Sequence, residues 1–196
     1  MGIHEPHRKT VRHFDEIGDC RELTFSCYRR TPLLTNNTWR EMLSRSIDAA
    51  VERHGYRLAA FVFMPEHVHL LVVPSITSGK IQSLLSALKR PYSFRIKTLL
   101  VAARSPLLKK LTVMERPGKM AFRFWQEGPG YDRNLNTIEA IEASIEYIHL
   151  NPVRRGLVLE ASAWRWSSCR HYLSDGTHRD PALPTVHGFP AETWDR

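Results

Sequence analysis

Cysteine is scarce in this chain of 196 residues, which contains only Cys20, Cys27 and Cys169. Their number is odd and no two of them lie close together in the sequence. This usage argues against a disulfide framework and against a cysteine-based zinc site. We therefore expect a protein of a reducing compartment, and we predict a cytoplasmic location.

A long uninterrupted apolar segment is also missing. The most hydrophobic stretch, residues 58–73, is broken by Pro65, Glu66 and two histidines, and the first nine residues are polar. A membrane-spanning helix needs about 20 predominantly apolar residues, and a secretory signal needs an apolar core. The sequence thus predicts neither a membrane span nor a signal peptide.

Acidic residues are outnumbered by basic ones, with 20 Asp and Glu against 28 Lys and Arg and a formal net charge of +8. A basic surface favours a polyanionic partner such as nucleic acid, although the same charge can serve solubility alone. The basic residues are clustered: Arg29 with Arg30; Lys89 with Arg90, Arg95 and Lys97; Lys109 with Lys110; Arg116 with Lys119 and Arg123; Arg154 with Arg155, Arg165 and Arg170.

The length and the distribution of apolar residues predict one domain. We place it at residues 21–173, after a polar N-terminal arm, residues 1–20, and before a loosely held, Pro-rich C-terminal tail, residues 174–196. Inside the domain, residues 98–120 are rich in Lys and Arg and predict a variable basic loop.

The periodicity of apolar residues predicts the order strand, helix, strand, strand, helix, strand, helix. This order indicates an α+β sandwich with a mainly antiparallel sheet. The predicted strands are residues 22–28, 58–64, 67–73 and 122–126; the predicted helices are 37–54, a segment from 81 that Pro91 kinks or restarts, and 138–151.

Two histidines lie two residues apart in the third predicted strand. On a strand, this spacing aims the imidazoles of His67 and His69 at one face of the sheet. Two imidazoles leave room for an oxygen ligand and for open positions, which suits a divalent ion that binds a phosphate. Taken alone, such a pair is more often structural. Glu66 is expected to be an exposed turn residue rather than a carboxylate that supports the metal site.

A second candidate segment lies in the last predicted helix. Tyr147 and Asn151 are one helical turn apart and face the same way. Pro152 disfavours helical geometry in the residue before it, so Asn151 is expected at the helix terminus. A positioned tyrosine can attack a phosphodiester and form a covalent phosphotyrosine, but a tyrosine on a helix flank can also serve packing alone. His149 is expected to point elsewhere.

Four blocks in this order resemble the single-tyrosine HUH transposases, and most closely their REP-associated tyrosine transposase branch. The resemblance extends from about Arg21 to Tyr172. Its blocks are residues 63–72, in which Pro65-Glu66 precedes the histidines, 123–126, 147–158 and 164–168.

The resemblance implies a fold and a set of catalytic residues. The fold is a ferredoxin-like sandwich. His67 and His69 bind Mg²⁺ or Mn²⁺, Tyr147 is the nucleophile and Asn151 is the third metal ligand. That last position is commonly glutamine in the insertion-sequence relatives, and the asparagine places this chain nearer the REP-associated branch.

The resemblance also implies an activity and a partner. The chain would nick and rejoin single-stranded DNA through a 5′-phosphotyrosine, without ATP, on palindromes folded as hairpins. Arg154, Arg155, Lys89 and Arg90 are candidates for phosphate contacts with the hairpin stem, and a monomer is favoured over a homodimer.

Two alternatives stay open from the sequence. The first is a domesticated protein that binds DNA hairpins but has lost nicking. The second is a metal-dependent phosphodiesterase that activates water at His67 and His69, in which Tyr147 only packs.

Overall fold

Four antiparallel strands form the central sheet of the computed structural model, which describes residues 20–75, 78–128 and 130–189. The described residues contain six strands in all: β1 (Cys20–Ser26), β2 (Tyr56–Phe63), β3 (His67–Pro74), β4 (Thr112–Arg116), β5 (Lys119–Phe122) and β6 (Tyr131–Leu135). The helices are α1 (Asn37–Arg53), α2 (Ile81–Ala102), α3 (Pro106–Leu111), α4 (Ile138–Arg154) and α5 (Cys169–Leu173).

The sheet order is β2-β3-β1-β6, and β4 and β5 form a separate hairpin. The helix α1 connects β1 to β2, and α2 precedes the hairpin and β6. This βαββαβ order, with the last strand beside the first, is the ferredoxin-like arrangement. The prediction of an α+β sandwich with a mainly antiparallel sheet is confirmed.

The alternation of side chains on β3 divides the core into two parts. Val68, Leu70 and Val72 join one apolar cluster with α1 and α2, whereas Leu71 and Val73 join a second cluster with α4. Both faces of β3 are therefore covered, as expected of a central strand with an almost continuous apolar sequence. Because His67 and His69 share the face of Leu71 and Val73, they face α4.

The ends of α1 follow ordinary capping chemistry. Asn36 is the N-cap, and its side chain accepts a hydrogen bond from the backbone N–H of Trp39. Gly55 follows the C-cap with a φ of 67°, a conformation that glycine adopts without strain. The helix is thus fixed between β1 and β2.

The prediction of a loop over residues 98–120 is wrong. These residues form the last turn of α2, then α3 and most of the β4–β5 hairpin. Pro91 lies inside α2 without ending it, on the exposed side of the helix. Burial of Leu88, Tyr92 and Ile96 on either side of the proline favours one continuous helix despite the loss of a backbone hydrogen bond.

The prediction of a strand over residues 122–126 is also wrong. Beyond the end of β5, Trp125 makes only an isolated bridge with Cys27. Phe124 and Trp125 are buried core residues that pack with Tyr92. The fourth strand of the sheet is instead β6, whose charged residues do not show the apolar composition expected of a strand.

The N-terminal arm, residues 1–20, lies outside the described residues except for Cys20, the first residue of β1. The expectation of a loosely held tail is wrong for residues 174–189. Val186 is buried, Thr185 donates a backbone hydrogen bond to Asp48, and His187 donates one to the carbonyl of Leu58. Among the described residues, no helix is long and apolar enough to span a membrane.

Candidate active site

His67 and His69 lie side by side on β3, as the sequence predicts. Both are buried, and their ring centroids are 4.9 Å apart with an interplanar angle of 78°. Strand β1 runs antiparallel to β3 and places Ser26 opposite His67 and Thr24 opposite His69. The polar face of β1 therefore lies beside the two imidazoles.

Each histidine is oriented by a hydrogen bond at its Nδ1 atom. His69 Nδ1 is 2.8 Å from Thr24 Oγ1, and His67 Nδ1 is 3.1 Å from Glu66 Oε1. Side chains that hold one ring nitrogen fix the direction of the other, an arrangement typical of metal-binding histidines. The Nε2 atoms are thus the candidate metal-ligating atoms of this pair.

Glu66 is buried, so the expectation of an exposed turn residue is wrong. Its Oε1 atom accepts hydrogen bonds from Arg30 Nη2 at 3.1 Å and from Arg155 Nη1 at 2.8 Å. Burial alone would raise the pKa of Glu66, but His67 and Arg155 outweigh it and hold this pKa below its usual value. Arg155, a candidate DNA contact, is therefore engaged inside the protein, although its side chain is half exposed.

Helix α4 supplies the other two predicted residues. It continues through Pro152 to Arg154, so the prediction of a helix terminus at Asn151 is wrong. Ile148, Asn151 and Pro152 are all buried, and this packing outweighs the preference of a residue before proline for extended geometry. Asn151 Nδ2 lies 3.4 Å from His69 Nε2, which brings α4 and β3 together at this point.

Tyr147 lies at the mouth of the same site. Its ring is edge-on to His69, with centroids 5.4 Å apart and an interplanar angle of 84°. The side chain is 38% exposed, and the guanidinium carbon of Arg154 lies 5.1 Å from the ring centroid. The structure thus brings together the four residues His67, His69, Tyr147 and Asn151, with Arg154 beside them.

The chemistry of these donors allows a divalent ion to bind. Two imidazole nitrogens and one amide oxygen leave positions open for phosphate oxygens and water. Rotation of the Asn151 amide by half a turn exchanges its nitrogen for its oxygen near His69. Among the described residues, no group of three or more His, Cys, Asp and Glu side chains could hold a metal ion, so Asn151 is needed to complete a set of three.

The prediction that His149 points away from this site is confirmed. Its Nε2 atom is 2.8 Å from Ser168 Oγ, and its ring packs edge-on against Tyr172. Burial lowers the pKa of His149 to about 4, because the interior disfavours the charged imidazolium. His149 is therefore a structural residue that is neutral at pH 7.

This pKa predicts acid destabilisation. Below pH about 6.5 the unfolded chain binds a proton at His149 that the folded chain does not, so stability falls as the pH drops from about 6.5 to about 4. The slope is up to about 1.4 kcal/mol per pH unit for this group. The free energy of unfolding, measured by urea denaturation in EDTA, should depend less steeply on pH in His149→Gln than in the unsubstituted protein. Parallel curves for the two proteins would contradict the prediction.

Glu22 and Ser144 are buried polar residues that the sequence motifs do not mark as site residues. Ser144 Oγ donates to Glu22 Oε2 at 3.2 Å, and burial raises the pKa of Glu22. The alternation over residues 22–28 places Glu22, Thr24 and Ser26 on one face of β1. That spacing was a usable signal, but a polar strand face ordinarily indicates solvent rather than a site beneath a helix.

Lys89 and Arg90 line a different cavity of about 580 Å³, between α2 and residues 122–128. Lys89 Nζ lies 5.5 Å from the ring centroid of Phe25, and burial lowers the pKa of Lys89. Neither residue lines the cavity beside Tyr147. The four candidate phosphate contacts are therefore divided between two places, Arg154 and Arg155 at the end of α4 and the other two on α2.

Comparison with protein families gives a match for residues 21–112, to the family described as "Transposase IS200 like". The matched residues include all of β1 except Cys20, and both histidines of β3. This segment, slightly less than half of the chain, is similar to the IS200-like transposase family. The match agrees with the resemblance to transposases seen in the motifs.

Two solved structures are similar to this chain. One is a REP-associated tyrosine transposase bound to a REP hairpin, with 20% sequence identity and a TM-score of 0.66, covering 94% of this chain and 96% of that one. At this identity the likeness shows a shared fold. The other is a putative transposase from Deinococcus radiodurans R1, with 18% identity and a TM-score of 0.45, covering 76% of this chain and 97% of that one. A search of curated proteins finds no match.

Proposed function

We propose that the chain is a metal-dependent transposase that nicks and transfers single-stranded DNA through a 5′-phosphotyrosine intermediate. The observation that carries this proposal is the convergence of Tyr147 with His67, His69 and Asn151. Tyr147 is 78 residues beyond His69 in the sequence, and the two rings are in edge-on contact. The ring of Tyr147 is partly exposed and lies beside two oriented imidazoles. This arrangement is not expected of a tyrosine that only fills space in the core.

His67, His69 and Asn151 would hold Mg²⁺ or Mn²⁺. When bound, such an ion neutralises charge on the non-bridging oxygens of a phosphodiester. Burial lowers the pKa of His69 to about 3, so this imidazole is neutral and able to ligate a metal throughout the physiological range. Thr24 and Glu66 would keep the two rings in position.

Tyr147 would carry out the covalent step. Its hydroxyl loses its proton as the oxygen bonds to phosphorus, while the bond from phosphorus to the 3′ oxygen breaks. The leaving 3′ oxygen takes up a proton, so the step has no net proton change. The products are a 5′-phosphotyrosyl enzyme and a free 3′-hydroxyl, and the reverse reaction joins strands. Arg154, held over the Tyr147 ring, places a positive charge where the phosphate would approach.

A hairpin is the proposed form of the DNA. The structurally similar REP-associated transposase is bound to a REP hairpin, and the net charge of +8 favours a polyanion. Arg154, Arg155, Lys89 and Arg90 are the proposed phosphate contacts. We propose a monomer as the active form.

The test is to incubate the purified protein with circular single-stranded DNA that contains hairpins, with Mn²⁺ or with EDTA. A protein–DNA adduct that survives denaturation should form with Mn²⁺ and be absent in EDTA. Metal-dependent nicking without an adduct would instead favour a phosphodiesterase that activates water. Hairpin binding without nicking would favour a domesticated DNA-binding protein.

A further inference from the structure

A cavity of about 480 Å³ lies beside Tyr147, on the side of the open sheet edge. Its size is within the roughly 300–1,000 Å³ typical of small-molecule sites. The proposed phosphotyrosine chemistry uses Tyr147, His69 and Thr24, which also line this cavity, but it gives the rest of the lining no role. Its lining includes Glu22 and Thr24 from β1, Tyr131 and Arg133 from β6, and Ser144 and Tyr147 from α4.

The buried part of this cavity carries a carboxylate. Glu22 is only 6% exposed, and its Oε2 atom accepts the hydrogen bond from Ser144. Its Oε1 atom is 3.9 Å from His69 Nδ1, which is beyond hydrogen-bond distance. A ligand that donates a hydrogen bond would therefore find a strong acceptor here, in surroundings that strengthen such a bond.

The outer part of the cavity carries an exposed aromatic ring. Tyr131 is 54% exposed and begins β6, opposite Thr24 of β1. Gly130 comes just before it with a φ of +81°, and a Cβ atom at this position would clash with the carbonyl oxygen of Thr24. Glycine thus lets the chain approach β1 closely, so that Tyr131 starts the edge strand next to the cavity.

We propose that this cavity binds one unpaired nucleobase of the DNA strand, adjacent to the phosphate that Tyr147 attacks. The base would stack on Tyr131 and donate a hydrogen bond from its amino edge to Glu22. This inference rests on the proposed function, because it requires a DNA strand at Tyr147. A phosphate group is a poorer occupant, since the buried carboxylate would repel it.

Guanine fits the lining better than the other bases. Its N1–H and N2 amino groups can both donate to a carboxylate, and its O6 and N7 atoms can accept from Arg133, the cross-strand neighbour of Glu22. Adenine and cytosine each offer one amino group, and thymine offers only its single N3–H, whereas guanine offers two adjacent donors. The expected order of affinity therefore places guanine first and thymine last.

The test measures binding in EDTA, where the proposed cleavage does not occur. The full-length protein is titrated, by fluorescence anisotropy, into labelled oligonucleotides of ten thymidines with a central dG, dA, dC, dT or abasic position. The dG oligonucleotide should bind about tenfold more tightly than the dT and abasic ones. Glu22→Gln should remove this preference, whereas Glu142→Gln, an exposed glutamate of α4 outside this cavity, should keep it.

Two further substitutions separate loss of the cavity from loss of the fold. Ala143→Phe should fill the cavity from the exposed side of α4 and remove the dG preference without changing Glu22. Tyr131→Ala should weaken dG binding by about 5- to 100-fold, and Tyr131→Phe should retain it. Circular dichroism and thermal unfolding would show that each variant is folded.

Equal affinity for all five oligonucleotides would overturn the inference, and so would a dG preference that persists in folded Glu22→Gln and Ala143→Phe. The adduct assay separates this result from the proposed function. If an adduct forms but no base is preferred, base binding in the cavity is refuted and the proposed nuclease activity is not affected. If Glu22→Gln removes a base preference but no adduct forms with the unsubstituted protein, base binding in the cavity is supported and the proposed nuclease activity is refuted.

Discussion

Replacing Tyr147 with phenylalanine is expected to reduce the yield of covalent protein–DNA adduct by at least about 10³-fold, to the level of the EDTA control. The substitution removes the oxygen that bonds to phosphorus. It leaves the fold intact, because the ring contacts with His69 and Arg154 are also available to phenylalanine. DNA binding, measured by anisotropy on a hairpin oligonucleotide, should change by less than about threefold.

The matched control is Tyr172→Phe. The Tyr172 hydroxyl donates to the carbonyl of Ala59, and its ring packs against His149 on the far side of α4. Loss of the Tyr172 hydroxyl should lower the free energy of unfolding by about 1 kcal/mol and leave adduct formation unchanged. An adduct that persists in Tyr147→Phe would refute the assignment of Tyr147 as the nucleophile. Nicking that persists without an adduct would indicate water as the nucleophile.

The first half of the fold could be predicted from local sequence patterns. The alternation in β1 and β3 and the apolar stripe of α1 each report burial within one element. The spacing of His67 and His69 fixes their common face in the same way, because neighbouring side chains on a strand alternate. These inferences needed no knowledge of what packs against the strand.

The supporting residues of the site could not be predicted in this way. Glu66 follows a proline in a turn, and its burial depends on Arg30 and Arg155, which reach it from distant parts of the chain. Glu22 is polar on a strand face that α4 happens to cover. Such long-range packing produces no periodic pattern in the sequence around Glu66 or around Glu22.

The edge strand β6 and the end of α4 also could not be predicted from local sequence patterns. Strand β6 has a charged and polar sequence because it lies at the sheet edge, and only its pairing with β1 makes it a strand. Pro152 predicts a helix end on local grounds, yet the helix continues because its buried face packs against the sheet. In both places tertiary contacts override the local preference.

The second large effect is expected for His69→Gln. This substitution removes one proposed metal ligand and the ring that contacts both Tyr147 and Asn151. Mn²⁺ affinity, measured by electron paramagnetic resonance of the free ion, should fall by about 100-fold or more, because even loss of a supporting hydrogen bond costs roughly 10- to 100-fold. Adduct formation at micromolar Mn²⁺ should fall in parallel.

The metal concentration makes this prediction specific. If His69 acts through the metal, millimolar Mn²⁺ should restore part of the adduct in His69→Gln, because Tyr147 is still present, whereas Tyr147→Phe should stay inactive at every concentration. His149→Gln is the matched control, since it removes a buried histidine that faces Ser168 instead of the site. Unchanged Mn²⁺ affinity in folded His69→Gln would exclude this imidazole as a ligand and would leave its bond to Thr24 as a structural contact.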